Sequence, residues 1–315
     1  MRNILLLILT FPLFIFAQSP VERAKKFYEE RKPADARKIL SGIDDNNKEY
    51  AEAQYYLGRI SFDEKKYDDA QDFFEEAVDT NDKVADYYNW LGNTYGTIAQ
   101  DANMIKQGML APKMKTAWEK AIALNPSLID ARTSLIQYYL QAPGFMGGSI
   151  EKAKETAKGI IPLNAAQGHL QLGNIYVKEK KIPEAEKEFL EMVKADPAFI
   201  SGLANFYLNQ KQYDKAFAVC EDAIKKNPES MAYVYQLGRA SAISGQRLER
   251  GEECLKRYLA YTPKSNEPSH AGATMRLAQL TEKKGNKMEA KKLFQEALKL
   301  DPSLKEAQEG LKRTS

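Results

Sequence analysis

Residues 170–197 read LQLGNIYVKEKKIPEAEKEFLEMVKADP. Leu172-Gly173 and Tyr176 mark one apolar stripe, Ala185 and Phe189 a second, and Pro197 closes the unit. Apolar residues at i, i+3, i+4 and i+7 make an amphipathic helix, so the segment predicts two of them joined by a short turn. The frame returns in RLAQLTEKKGNKMEAKKLFQEALKLDP (276–302), through Leu277, Ala290, Phe294, Ala297 and Pro302. It returns again in YLGRISFDEKKYDDAQDFFEEAVDTND (56–82), through Leu57-Gly58, Ala70, Phe74 and Ala77. Weaker copies are anchored by Ala36 and Leu40, by Ala216, Cys220, Ala223 and Pro228, and by Leu237-Gly238, Gly251, Leu255 and Pro263. Two further copies carry insertions, one with Leu91-Gly92, Tyr95, Trp118, Ala121 and Pro126, the other with Leu135, Tyr139 and Ala153.

The repeat has a physical logic. A small residue in the first helix and Ala in the second let two backbones approach, while Leu, Tyr and Phe fill the seam to the next unit. Proline near the end stops the second helix. No single unit buries its apolar faces, so the units must stack, and a polar terminal helix must close the array. SLKEAQEGLKR (303–313) has that composition. These residues resemble the tetratricopeptide repeat, and the resemblance covers nearly the whole chain in eight copies. It implies an all-α, right-handed solenoid of about eight helix pairs over residues 18–302, with insertions near 97–111 and 142–148 and a capping helix and tail at 303–315.

Such solenoids bind an extended peptide or a partner's helix on the concave face lined by the first helices. The column one residue after the repeat's small position holds Lys25, Arg59, Asn93, Gln137, Asn174, Asn205, Arg239 and Gln279, all hydrogen-bonding side chains. Amides both donate and accept, so a ladder of them can pair with a partner's backbone whatever its sequence. One turn earlier lie Tyr55, Asn89, Thr133 and Tyr235, read as added stacking surface. Solvated polar helix faces are the competing reading. Relatives that hold a C-terminal carboxylate use a Lys/Asn/Asn/Lys/Arg set across three repeats. Arg59 and Asn93 fit it in part, but the next repeat offers Asp130, Thr133 and Ser134, so that function is not carried over.

The insertions allow three readings. Loops at the same place in adjacent repeats emerge on one edge, so Met104, Ile105, Met109 and Leu110 are expected to pack against Phe145 and Met146. Alternatively Phe145 and Met146 form an apolar flap for a protein partner. A phosphate cradle at Gly147-Gly148 is disfavoured, because no Lys-Ser/Thr pair follows the glycines. Pro112 fits the first turn of a helix after the insertion, and Ser149 fits an N-cap.

Composition narrows the function. The formal charge of +3 gives no argument for nucleic acid. It is unevenly spread, with 12 Lys+Arg against 18 Asp+Glu from Gln18 to Asp86 and 33 against 25 from Tyr87 onward. Solvated helix faces account for most such imbalances. The chain has two histidines, His169 and His270, without metal-ligand spacing, and no GxSxG or Walker A sequence. Neither enzymatic activity nor a cofactor is expected. Cys220 and Cys254 are read as buried free thiols, with a disulfide as the alternative that export would allow.

The chain opens MRNILLLILTFPLFIFAQSP (1–20), with Arg2, an apolar run from Ile4 to Phe16, and Ala17 before a polar segment. That is the anatomy of a secretory signal peptide over 1–17, cleaved after Ala17. The run is shorter than the ~20 residues of a membrane anchor. The expectation is an exported protein, periplasmic or secreted, with no span after cleavage, acting as an interaction scaffold of the bacterial envelope. Two alternatives stand beside it: a glycan or cell-wall fragment binder using Tyr55, Tyr56, Trp90 and Tyr235 as platforms, and a structural subunit of an envelope assembly.

Overall fold

The computed structural model describes residues 18–314; the expected leader at 1–17 lies outside the described residues. All regular structure among these residues is helical. The chain divides into two compact units between Ser149 and Ile150. Among the described residues no helix is long and apolar enough to cross a membrane.

The first unit contains α1 (Pro20–Glu29), α2 (Pro33–Leu40), α3 (Tyr50–Asp63), α4 (Tyr67–Thr80), α5 (Ala85–Asp101), α6 (Met104–Leu124), α7 (Ile129–Gln141) and a 3₁₀ turn at Gly144–Met146. The second contains α8 (Ile150–Lys158), α9 (Ala165–Lys178), α10 (Ile182–Ala195), α11 (Ile200–Asn209), α12 (Tyr213–Lys226), α13 (Met231–Ser244), α14 (Leu248–Leu259), α15 (His270–Lys283), α16 (Lys287–Leu300) and α17 (Lys305–Thr314). In each unit consecutive helices pack as antiparallel-type pairs, α3 with α4 and α5 with α6 in the first, α9 with α10 and α15 with α16 in the second. The polar helix α17 lies against α15 and α16 and covers Phe294, which is fully buried.

The small residue of the repeat sets the interhelix distance. A β-carbon on Gly58 would lie 2.7 Å from the Phe74 ring, one on Gly92 2.7 Å from the Trp118 indole, and one on Gly238 2.5 Å from Leu255. Each pair is therefore a glycine on the first helix receiving the large side chain of the second. Burying such a side chain stabilises the fold by about 1.5–3 kcal/mol.

The turns inside the pairs repeat one hydrogen-bond pattern. Lys65 N–H donates to the Phe62 carbonyl and Lys66 N–H to Ser61, and the same two bonds recur at Arg31/Lys32, Lys180/Lys181, Lys211/Gln212 and Gly285/Asn286. This is the Schellman closure, which satisfies the last carbonyls of the first helix through one left-handed residue. In four of these five turns the left-handed residue is a basic side chain, with φ of 60° at Arg31, 62° at Lys65, 61° at Lys180 and 57° at Lys211.

The first insertion departs from expectation. Residues 97–113 do not form a loop: α5 continues to Asp101, α6 begins at Met104, and Pro112 sits inside α6 rather than in its first turn. Asn103 starts the helix, its Oδ1 accepting from the Lys106 N–H at 2.9 Å. Proline removes one donor and crowds the carbonyl four residues back. Here that residue is Gly108, and burial of Leu110 and Met114 against the unit's core holds the helix through the defect.

Candidate partner-binding groove

A groove of about 830 Å3 opens between α5, α6, α7 and the 3₁₀ turn, entirely within the first unit. Helix α5 contributes Trp90, Asn93, Thr97 and Gln100, spaced i, i+3, i+7 and i+10 and hence on one face. Helix α7 contributes Thr133, Ser134, Gln137, Tyr138 and Gln141. Gln107, Ala111, Met114 and Trp118 of α6 form the wall, and Pro143 and Met146 close one end.

Of the side chains expected at a binding surface, the structure brings Asn93, Gln137 and Met146 together here, with Thr133 and Trp90 beside them. Asn93 is the best held: its Oδ1 accepts from Trp118 Nε1 at 3.0 Å and from Ser134 Oγ at 3.2 Å. Thr97, Gln100 and Gln141 were not singled out from the sequence, although each follows a column residue by four or seven positions. The α6 residues gave no such signal, because their place depends on the helix running through the insertion.

The rest of the column is largely occupied by the protein itself. Arg59 lies 4.0 Å from the Trp90 ring centroid and 5.4 and 5.7 Å from those of Tyr28 and Tyr55, and it donates to the Tyr55 hydroxyl at 2.9 Å. Burial and a hydrogen bond to Asp63 push the Tyr28 phenol up to about 12, so the guanidinium faces a neutral ring. In the second unit Arg239 donates to Asn205 Oδ1, and Gln279 donates to Glu306 at 2.9 Å. Lys25 and Asn174 remain exposed. The trough beside Arg276 and Glu306, about 600 Å3, is mostly lined by charged side chains that pair with one another.

Three further expectations need correction. Tyr55, Asn89 and Tyr235 do not add stacking surface; all three are buried, Tyr55 against Tyr87 at 5.0 Å and Tyr235 against Tyr258 at 5.0 Å. Of the glycan platforms, Tyr56 is buried like Tyr55 and Tyr235, whereas Trp90 stacks with Arg59 and Phe74 and still lines the groove. The insertions do not cover one another either. Met104, Ile105, Met109 and Phe145 are 86%, 77%, 68% and 86% exposed, and Leu110 points into the core. Of these apolar side chains Met146 reaches α6, its methyl 3.5 Å from the place a β-carbon on Gly108 would take.

The glycine turn is built from its own hydrogen bonds. The N–H groups of Met146 and Gly148 donate to the Pro143 carbonyl, that of Gly147 to Gly144, and that of Ser149 to Tyr139. The Tyr138 hydroxyl donates to the Met146 carbonyl at 2.5 Å. A β-carbon at Gly148 would fall 1.7 Å from the Ala142 oxygen, so only glycine fits. With these donors engaged, the turn offers no nest for a phosphate.

The two histidines are held in separate places. His169 Nδ1 lies 2.6 Å from Glu188 Oε2, and His270 Nε2 lies 2.7 Å from the Tyr261 carbonyl. Cys220 and Cys254 are buried and unpaired; burial pushes their thiols up to about 12 and about 11.

Comparison with known proteins fits this architecture. Models described as tetratricopeptide repeat match residues 27–92, and 170–231 with 235–305, together more than half of the chain. The coatomer subunit epsilon of Dictyostelium discoideum is 31% identical over 111 residues, 34% of this chain and 36% of that protein. The chain thus matches little more than a third of that relative's length. A tetratricopeptide repeat protein from Parabacteroides merdae aligns over 94% of this chain and 97% of its own, with a TM-score of 0.52 and 14% identity. Yeast Tom70 aligns over 94% of this chain and 73% of its own, with a TM-score of 0.58 and 15% identity. At such identities the likeness is one of fold, a fold that typically mediates protein–protein interaction and is generally not catalytic. The recurring Leu-Gly…Ala…Phe frame, the glycine-seated helix pairs and these matches lead to one conclusion: the chain belongs to the tetratricopeptide repeat family.

Proposed function

We propose that this chain is a non-enzymatic interaction protein of the bacterial cell envelope that takes an extended segment of a protein partner into the α5–α7 groove. The groove itself carries the reading: apolar Trp90, Met114 and Met146 line it together with the amides of Asn93, Gln100, Gln137 and Gln141. An extended backbone presents alternating carbonyls and N–H groups, and amide side chains answer both. Pockets that bind are largely apolar with a few placed polar groups. The lining has no His, Cys, Asp, Glu or Lys, the side chains from which acid–base chemistry is most often built, which favours binding over turnover. The reading as a glycan binder is weakened by the burial of three of its four aromatic platforms, Tyr55, Tyr56 and Tyr235. Export rests on the apolar leader before Gln18.

A photo-crosslinker at Gln137 should capture a partner polypeptide in the native host. Changing Asn93, Gln137 and Gln141 together to alanine should abolish capture through a second crosslinker at Gln100, with the circular dichroism spectrum unchanged. Capture that survives the triple change would exclude the groove. Mature protein from the host should begin at Gln18; a cytosolic chain beginning at Met1 would exclude export.

A further inference from the structure

None of the nineteen side chains lining the α5–α7 groove is charged, in a chain whose residues are 28% charged. Of the nearby cations, Lys115 pairs with Glu119 at 3.0 Å, and Arg59 is packed among the neutral rings of Trp90, Tyr28 and Tyr55, 4.0 Å from that of Trp90. A charge carried into this groove would lose hydration and find no counter-charge among the lining side chains, which is unfavourable.

The polarity of the groove also has a fixed sign at one point. An indole N–H only donates, so the Asn93 atom facing Trp118 Nε1 is the oxygen, and Ser134 donates to the same atom. The Asn93 amino group is therefore the part left for a ligand, and no described residue accepts from it. It suits a carbonyl oxygen.

The wall continues past the groove. Along α6, Met104, Gln107, Ala111, Met114 and Trp118 recur at i, i+3, i+7, i+10 and i+14, so Met104 extends the lining stripe by one turn. Phe145 stands next to Met146, which both lines the groove and touches α6 at Gly108. Met104 and Phe145, each 86% exposed, extend the apolar lining beyond the charge-free channel, Met104 along α6 and Phe145 beside Met146.

We infer that the groove selects an uncharged internal segment of a partner's chain, with one of its carbonyls on Asn93 and an apolar side chain on Met104 or Phe145. This rests on the groove being the peptide site proposed above. Its chemistry separates it from sites that read a terminal carboxylate or an acidic or basic motif.

The test is selection from a random peptide library, displayed with flanking sequence on both sides, on the immobilised full chain. Synthetic versions with acetylated and amidated ends are then titrated against intrinsic fluorescence. The chain has two tryptophans, and both Trp90 and Trp118 line the groove, so its occupation shifts their emission. Selected segments should lack Asp, Glu, Lys and Arg in their core and carry a Leu, Met or Phe. A single Asp or Lys placed there should weaken binding about tenfold or more. Met104→Ser with Phe145→Ser, both on exposed side chains, should weaken it about fivefold with unchanged helix content.

Acidic or basic segments, or segments that need a free carboxylate, overturn the inference while leaving the groove as the peptide site. Full affinity in the Met104/Phe145 variant overturns that apolar contact. Binding that leaves tryptophan emission and the Gln137 crosslink untouched overturns both this inference and the groove.

Discussion

Replacing Gly92 with alanine should loosen the groove from behind. The added β-carbon would lie 2.7 Å from Trp118 Nε1, 2.8 Å from Cδ1 and 3.0 Å from Cε2. Trp118 is 5% exposed and sits against Tyr138, with centroids 6.5 Å apart, so the ring has little room to yield. Overpacking of this kind costs about 1–3 kcal/mol. Moving the indole also strips its hydrogen bond to Asn93, worth about 1 kcal/mol. Alanine recovers about 1 kcal/mol of helix propensity over glycine. The net is a loss of about 2 kcal/mol, or a fall of about 1 M in the urea midpoint. At the equivalent Gly173 the β-carbon would meet Phe189 at 3.0–3.2 Å, a gap closed by a few tenths of an ångström with no hydrogen bond at stake. Gly173→Ala should therefore stay within about 0.5 kcal/mol of the parent. Urea unfolding followed by tryptophan emission reports the first unit for Gly92→Ala, and far-ultraviolet circular dichroism reports Gly173→Ala. Equal midpoints for the two variants, or an unaltered native emission in Gly92→Ala, would refute the glycine-seat argument.

Two further outcomes are expected. The Cys220 and Cys254 thiols, both buried and with pKa pushed up to about 12 and about 11, should resist an aromatic disulfide reagent at pH 8 and react fully once denatured; rapid labelling of the native chain would contradict their packing. Burial alone would raise the Glu306 carboxyl, but hydrogen bonds from Arg276 and Gln279 outweigh it and hold it below its ordinary value. A depressed carboxyl stabilises the fold above the unfolded value of about 4.3 and loses that contribution as pH falls through the folded value. Glu306→Gln should thus be less stable than the parent at pH 7 and converge with it toward pH 3; a gap that widens on acidification would reverse the sign.

Much of this molecule follows from local pattern. Leu172-Gly173, Ala185 and Phe189, and their counterparts through Leu57-Gly58, Ala70 and Phe74, specify helix pairs because helical periodicity and the need for one small residue at each close approach are properties of adjacent turns. The column through Asn93 and Gln137 was legible for the same reason, being a fixed offset within each repeat. Other features depended on contacts beyond the reach of that pattern. Pro112 signals a helix start by itself, yet burial of Leu110 and Met114 carries α6 through it, and that extension brings Gln107 and Ala111 to the groove. Arg59, Asn205 and Arg239 look like free binding groups in sequence, but hydrogen bonds about one repeat long consume them: Arg59 with Tyr28 across 31 residues, Asn205 with Arg239 across 34. Periodicity determines which face a side chain occupies; only the packed neighbours decide whether that face is open and whether its polar atoms are already satisfied. Asn93 shows both at once, placed among the groove-lining residues of α5 by its register and turned donor-outward by Trp118 and Ser134, 25 and 41 residues away.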